Sequence, residues 1–198
     1  MEPYKKARLV YCLSMGMVES NSTDQEASRS RHDRFNVLLA EQIKTHSEGL
    51  GLTDVLLKFN GDAWLFMTDK AEKVPAFSCL ATIMAESFQA QTARATGIAV
   101  ENVPSLRLSI CSGRDRFIEL PDGRKDWVGD SARRALNASA YCHPNEVLLD
   151  DPARYQVLNV FESTPVDIQS RILEERIGRL EEGFAAYTLG AIRAERAA

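Results

Sequence analysis

The sequence predicts an α+β fold in which helices cover a mostly antiparallel sheet. Apolar segments of strand length alternate with segments whose apolar residues recur at helical spacing. Two of the strand segments flank Asn60-Gly61, and Asn-Gly between apolar runs is the strongest short hairpin signal. The resulting order is strand, helix, hairpin, helix, strand, turn, helix, strand, which is related to the ferredoxin-like plan.

In the first half of the chain, a strand is predicted from Arg8 to Met17, followed by a helix from His32 to His46. Two glycines shortly after His46 end that helix, and residues 55–67 form the hairpin. A second helix follows, and its apolar residues form one stripe, consisting of Phe77, Leu80, Met84 and Phe88.

The second half continues with a strand from Leu106 to Cys111 and a turn at residues 120–123, where Pro-Asp-Gly favours chain reversal. A short helix is predicted from Ser131 to Tyr141. A further strand is predicted from Glu146 to Leu149, because this apolar run is short and follows a turn.

Residues 1–162 are expected to form one domain, with residues 163–198 as a C-terminal helical extension. Thr164 is a suitable helix cap, and Pro165 suits the first helical position. Such a helix packs either along its own domain or against a partner helix, most simply from a second copy. Its apolar residues recur at spacings of four and three, as in a coiled-coil seam, and they are Leu173, Ile177, Leu180, Phe184, Tyr187 and Ala191.

Composition and charge exclude several classes of protein. The net charge of -4 provides no basic surface of the kind that binds nucleic acid. No apolar run approaches the roughly 20 residues that span a bilayer. Glu2 and Arg8 interrupt the N-terminal pattern in a way that favours a strand over a signal peptide. The four cysteines are far apart and form no CxxC pair, so we expect reduced thiols in a cytoplasmic protein with no nucleic-acid or membrane partner.

Several short motifs occur in a characteristic order. Lys58 is followed, after two residues, by Gly-Asp-Ala at 61–63, and the strand from Leu106 ends in small residues at 112–113. Asp126 begins an Asp-x-x-Gly-Asp motif before the third helix, and an apolar strand follows that helix. From about residue 7 to residue 150, these motifs resemble those of the catalytic domains of class III nucleotidyl cyclases, the adenylate and guanylate cyclases.

The resemblance implies a reaction in which the ribose 3′-hydroxyl of a nucleoside triphosphate attacks its own α-phosphate and releases pyrophosphate. Two divalent ions, Mg2+ or Mn2+, held by two carboxylates would activate the hydroxyl and neutralise the developing charge. Asp62 matches one of these metal ligands in the family pattern. The alternative interpretation is that Asp62 only stabilises the bend of the hairpin.

The resemblance also identifies a base-reading pair. Lys58 and Asp126 match the residues that, in adenylate cyclases, donate to a ring nitrogen and accept from the exocyclic amine of the purine. This pairing favours ATP as the purine nucleoside triphosphate, unless both residues are simply exposed charges at strand ends. Because family sites form between two head-to-tail domains, the resemblance implies a homodimer or a heterodimer with another cyclase domain.

The first strand departs from the family pattern. The second metal carboxylate belongs there, yet the two alignments place Leu13 or Ser14 at its position, and Glu19 is the nearest acid. One carboxylate would hold two ions poorly, because hard cations require anionic oxygen ligands.

The third helix departs as well. The family places an Asn and, four residues later, an Arg on one helix face to hold the ribose and the triphosphate. Arg133 and Asn137 occupy these positions in reversed order. Either the swap keeps a guanidinium near phosphate, or the match arises by chance in an Arg-rich helix.

The interpretation we favour is a cyclase homology domain that binds a nucleotide and dimerises, with weak or no turnover alone. The alternative is an active cyclase that converts ATP to cyclic AMP, alone or with a complete partner subunit. A diguanylate-cyclase-like domain fits less well, because the hairpin at Asn60 lacks the first Gly and the following Glu of that motif. A small binding module with no nucleotide is a further alternative.

Overall fold

A computed structural model describes residues 6–18, 25–160, 168–171 and 186–189. Within these ranges the order of strands and helices is β1 Arg8–Met17, α1 Gln25–Gly49, β2 Leu56–Phe59, β3 Ala63–Thr68, α2 Val74–Thr96, β4 Leu106–Glu119, β5 Lys125–Gly129, α3 Ser131–Ser139, β6 Glu146–Leu149, α4 Asp151–Val160, β7 Ile168–Arg171 and β8 Ala186–Leu189. No helix within these ranges has the length and hydropathy that crossing a membrane requires.

The strands form one sheet with the order β2-β3-β1-β4-β6-β8-β7, and β5 pairs with β4 outside this path. Only the β4–β6 pair is parallel among the described strands. All ten residues of β1 pair with β4, and six of them also pair with β3, so β1 is central. The predicted α+β fold with an antiparallel-rich sheet is therefore confirmed.

The two faces of the sheet carry separate cores, because successive strand residues point to opposite faces. Leu13 and Met15 of β1 belong to the larger core, together with α1 and α2. Val10 and Cys12 belong to a smaller core on the α3 side. The predicted stripe of α2 is fully buried, and each of its large apolar side chains contributes about 1.5 to 3 kcal/mol.

Several regions differ from the sequence prediction. Helix α1 begins at Gln25 and ends at Gly49, so it is longer than the predicted helix from His32 to His46. Strand β4 continues to Glu119, because its second half pairs with β5, a strand that the sequence analysis did not predict. Helix α4 was not predicted either, although Asp151-Pro152 is a typical helix beginning.

The predicted C-terminal helix is wrong at residues 168–171 and 186–189, which are strands β7 and β8. β8 pairs with the edge of β6, where Tyr187 lies opposite Leu149, so backbone pairing replaces the predicted helical seam. The remaining seam positions, Leu173, Ile177, Leu180, Phe184 and Ala191, lie outside the described residues, and the division at 162/163 stays a prediction.

Candidate active site

The tip of the β2–β3 hairpin is held by the side chain of Asn60. Its Oδ1 accepts hydrogen bonds from the backbone nitrogens of Asp62, at 3.1 Å, and Ala63, at 2.8 Å. Gly61 has φ +99°, a conformation that favours glycine. The turn leaves Asp62 exposed to solvent at the tip.

Lys58 of β2 and Asp126 of β5, which are 68 residues apart in the sequence, lie in contact. The Lys58 Nζ donates to both carboxylate oxygens of Asp126, at 2.8 and 3.1 Å. The two side chains are 30% and 22% exposed, so they are partly screened from water yet open to a ligand. The backbone nitrogen of Trp127 also donates to Asp126, at 2.7 Å, and this bond orients the carboxylate. The structure thus brings the predicted base-reading pair together.

A tightly packed junction joins β4, β5 and the start of α3. The carboxylate of Asp115 is fully buried and accepts hydrogen bonds from the backbone nitrogen of Ser131, at 3.0 Å, and from its hydroxyl. A Cβ at Gly113 would lie 2.3 Å from the Ser131 nitrogen, and one at Gly129 would lie 2.3 Å from the Asp115 Oδ1. Both positions therefore require glycine, and the junction fixes α3 against the sheet.

The two β1 residues that the sequence aligns with the second metal carboxylate, Leu13 and Ser14, point to opposite faces of the sheet. Leu13 is part of the core beneath α1 and α2. Ser14 lies one residue further and hence on the α3 side, fully buried, with no hydrogen-bond partner for its hydroxyl. Gly16 lies against the hairpin tip, since a Cβ there would be 3.3 Å from the Asp62 carbonyl oxygen. Neither Leu13 nor Ser14 provides a carboxylate, and both side chains are fully buried.

These residues do not fit a site for two divalent ions. A hydroxyl provides no negative charge to offset dehydration of a hard cation. Among the described residues, no group of three or more His, Cys, Asp and Glu side chains has the arrangement of a metal site. Glu19, the nearest acid in the sequence, lies outside the described residues.

Helix α3 carries the reversed pair Arg133 and Asn137 on one face, four residues apart. Arg133 forms an ion pair with Asp130 at 2.9 Å, and both side chains are more than half exposed. The inner face of the helix is formed by Ala135 and Ala138, which are fully buried against the sheet. Arg133 therefore lies at the surface and is held locally by the residue that precedes the helix.

Sequence reasoning missed a buried acid behind α3. The carboxylate of Asp150 accepts hydrogen bonds from the backbone nitrogen of Ser112, at 2.6 Å, and from that of Ala153, at 3.0 Å. The Arg134 guanidinium lies 3.8 Å away, yet burial dominates and raises the pKa of Asp150. The Asp-Asp-Pro sequence at 150–152 is a helix-start signal that identifies this residue as a cap.

With these elements in place, the chain has the fold of the catalytic domains of class III adenylyl and guanylyl cyclases. It is similar to the adenylyl cyclase CyaB from P. aeruginosa, with a TM-score of 0.70 and 17% identity over 98% of this chain and 100% of that chain. It is also similar to the guanylate cyclase domain of RhGC from Catenaria anguillulae, solved in complex with GTP, with a TM-score of 0.62 and 20% identity over 94% of this chain and 98% of that chain.

A third solved structure is the catalytic core of a rhodopsin-guanylyl cyclase with converted specificity, in complex with ATPalphaS. It has a TM-score of 0.61 and 20% identity over 96% of this chain and 99% of that chain. No protein-family model matches the sequence, and no curated protein matches it significantly. The resemblance predicted from the motifs is thus confirmed at the level of the fold.

Proposed function

We propose that this domain binds a purine nucleoside triphosphate, ATP in preference to GTP, and turns it over weakly or not at all by itself. The observation that carries the proposal is the contact between Lys58 and Asp126. Adenine presents a ring-nitrogen acceptor beside an amine donor, so a Lys donor next to an Asp acceptor matches its edge. Guanine presents the opposite order, so in the same orientation its ring N–H would face Lys58 and its carbonyl oxygen would face Asp126.

To bind a purine base, Lys58 and Asp126 must exchange their contact with each other for contacts with the base. Lys58 and Asp126 satisfy each other before a base arrives, so a purine must replace a charged hydrogen bond with two weaker ones. The hydrogen bond from Trp127 keeps the Asp126 carboxylate oriented while Lys58 moves. We therefore expect modest affinity together with a clear preference for adenine.

The opposite side of the site argues against efficient turnover. Asp62 offers one exposed carboxylate, whereas β1 contains no Asp or Glu to provide a second. We expect Mg2+ or Mn2+ to bind weakly there. Arg133 on α3 offers a guanidinium to the triphosphate and Asn137 an amide to the ribose, although their order is reversed relative to the family.

Calorimetry with ATP and GTP tests the proposal. The correct donor–acceptor match contributes about 1 to 3 kcal/mol, so ATP should bind roughly tenfold more tightly than GTP. Lys58→Ala should remove the preference, whereas Lys44→Ala, at an exposed position of α1, should retain it. Equal binding of both purines by the wild type, or an unchanged preference in Lys58→Ala, would contradict the proposal.

We further propose that the domain dimerises. The β4–β5 pair exposes Ile118 and Val128, and the edge strand β2 exposes Leu57 and Phe59. The two members of each pair lie on the same face, and contiguous exposed apolar residues are typical of interaction surfaces. Light scattering at tens of micromolar should give twice the monomer mass, and truncation after Glu162 tests whether the C-terminal segment contributes.

A second candidate function is that of one subunit in an active heterodimer that makes cyclic AMP. It is favoured by the unequal site, in which the Lys58–Asp126 pair is present while the β1 carboxylate is absent. A partner domain that has both metal carboxylates, but whose base-reading lysine is replaced by alanine, should gain activity on mixing with this chain. Lys58→Ala in this chain should abolish the gain.

A further inference from the structure

A second concave site lies at the opposite end of the sheet from the hairpin tip. It is a cavity of about 460 Å³ between the start of β1, the β2–β3 pair and the β4–β5 pair. Met67 and Thr68, which line it, are at the end of β3, roughly 16 Å along the strand from Asp62. Neither Lys58 nor Asp126 lines the cavity, but the cavity adjoins them, since the Lys58 Nζ lies 3.5 Å from the carbonyl oxygen of Trp127. Its volume lies within the range of small-molecule sites.

One wall of the cavity is aromatic and apolar. Phe117 and Trp127 pack against each other, with ring centroids 4.7 Å apart and planes inclined by 48°. Leu56 and Met67 extend this surface across the sheet. Trp127 is only 7% exposed and belongs to the smaller core, so the position of its ring is fixed by packing. This wall is therefore suited to contact with a flat apolar group.

The rim carries an excess of positive charge. Its two acids are already neutralised, since Asp69 pairs with Arg8 at 2.6 Å and Asp54 pairs with Lys70 at 2.8 Å. Lys6 and Lys125 also line the cavity, and no ion pair involves either of them among the described residues. Two uncompensated ammonium groups beside an apolar wall attract an anion.

We propose that this cavity binds a small aromatic anion, with its ring against Phe117 and Trp127 and its charged group between Lys6 and Lys125. The apolar wall selects for a planar body, and the lysines select for a carboxylate, sulfonate or phosphate on it. The cavity adjoins the proposed base site, because Leu56 is two residues from Lys58 and Trp127 follows Asp126. Its ligand nevertheless uses the rings of Phe117 and Trp127 and the ammonium groups of Lys6 and Lys125 rather than Lys58 and Asp126.

Fluorescence titration with 1-anilinonaphthalene-8-sulfonate tests the site on the full chain. The double variant Lys6→Glu/Lys125→Glu should weaken probe binding by at least about tenfold, the effect of losing charge-assisted contacts. Lys44→Glu, a charge reversal at an exposed position of α1, should leave it unchanged. An equal loss in both variants, or no loss in either, would overturn the proposal.

A matched pair of competitors tests the charge requirement on the ligand. 1-Naphthoate should displace the probe at least about tenfold better than 1-naphthalenemethanol, which has the same ring without the charge. Equal displacement by both would overturn the proposal.

Two further variants separate this site from the others. Leu56→Trp should fill the cavity and abolish probe binding while the circular dichroism spectrum and the urea transition are retained, and retained binding in a folded Leu56→Trp would overturn the proposal. Lys58→Ala should leave the probe affinity unchanged even where it changes ATP binding. The failure of the nucleotide proposal is therefore distinguishable from the failure of this one.

Discussion

The β2–β5 side of the domain and its β1–α3 side differ in how they follow the cyclase pattern. On the first side, Lys58 and Asp126 stand at the family positions and meet at 2.8 Å. On the second side, the sequence aligns Leu13 or Ser14 with the carboxylate of the family pattern, and Arg133 and Asn137 occur in the reverse of the family order. Both sides nevertheless belong to one intact sheet.

The difference indicates that the residues that stabilise this fold are distinct from the residues that would carry out its chemistry. Helix α3 packs closely against β4 and β5, and this packing depends on Gly113, on Gly129 and on the buried contact between Asp115 and Ser131. None of these packing contacts requires a carboxylate in β1 or a particular residue at 133. The packing of the domain therefore does not depend on the positions at which the sequence departs from the cyclase pattern.

The largest expected effect concerns turnover. The purified chain with ATP or GTP and Mg2+ or Mn2+ should form cyclic nucleotide at least about a thousandfold more slowly than a cyclase domain with both carboxylates, because the charge at the reacting phosphate is not neutralised. Chromatography of the products measures this rate. Robust cyclic product that disappears in Asp62→Ala would remove the contrast between the two sides.

The next largest effect concerns the junction between the two sides. Gly113→Ala should destabilise the fold by about 3 kcal/mol or more, because the new Cβ meets the backbone of Ser131 at 2.3 Å. Urea unfolding measures the loss. Gly49→Ala is the matched control, since a Cβ there meets no atom within 4 Å, and it should be nearly neutral. Similar stability of the two variants would mean that α3 does not pack tightly against β4 at Gly113.

Local signals in the sequence predicted much of the fold. The bounds predicted for β1 and β6, Arg8–Met17 and Glu146–Leu149, are those of the structure. Strand β5 was missed because its five residues include two charges, and its only partner among the described strands is the distant end of β4. The C-terminal prediction was wrong at β8 because apolar spacing alone does not reveal that the edge of β6 is available for pairing.

The site was less predictable than the fold. The Asn-Gly bend is a local signal, and it predicted the hairpin that exposes Asp62. The contact between Lys58 and Asp126 spans 68 residues, so only resemblance to a family, and no spacing rule, placed them together. Asp115 and Asp150 were missed, because a buried acid cannot be distinguished from an exposed one until its partners are known.

A smaller effect is expected for the Lys58–Asp126 pair itself. A double-mutant cycle with Lys58→Ala, Asp126→Ala and both together should give a coupling of about 1 kcal/mol in the free energy of unfolding, because the pair is partly screened from water. The coupling should decrease at high salt. A coupling near zero would mean that the two side chains hold no fixed geometry before a nucleotide binds.

The smallest expected effect is a change in the pH dependence of stability near α3. Burial raises the pKa of Asp150 above its ordinary value of 3.8. A raised pKa in the folded state means that the stability contribution of Asp150 is fully present below pH 3.8 and is lost as the pH rises through the folded value.

Asp150→Asn, which has no charge to bury, should remove this loss, so its stability relative to the wild type should improve as the pH rises from about 4 towards 7. Urea unfolding at several pH values measures the difference. The opposite slope would mean that the hydrogen bonds from Ser112 and Ala153, together with the Arg134 guanidinium, outweigh burial and hold the carboxylate charged. In that case the β1–α3 side would contain a stabilised negative charge, and its difference from the Lys58–Asp126 side would be smaller than the sequence suggests.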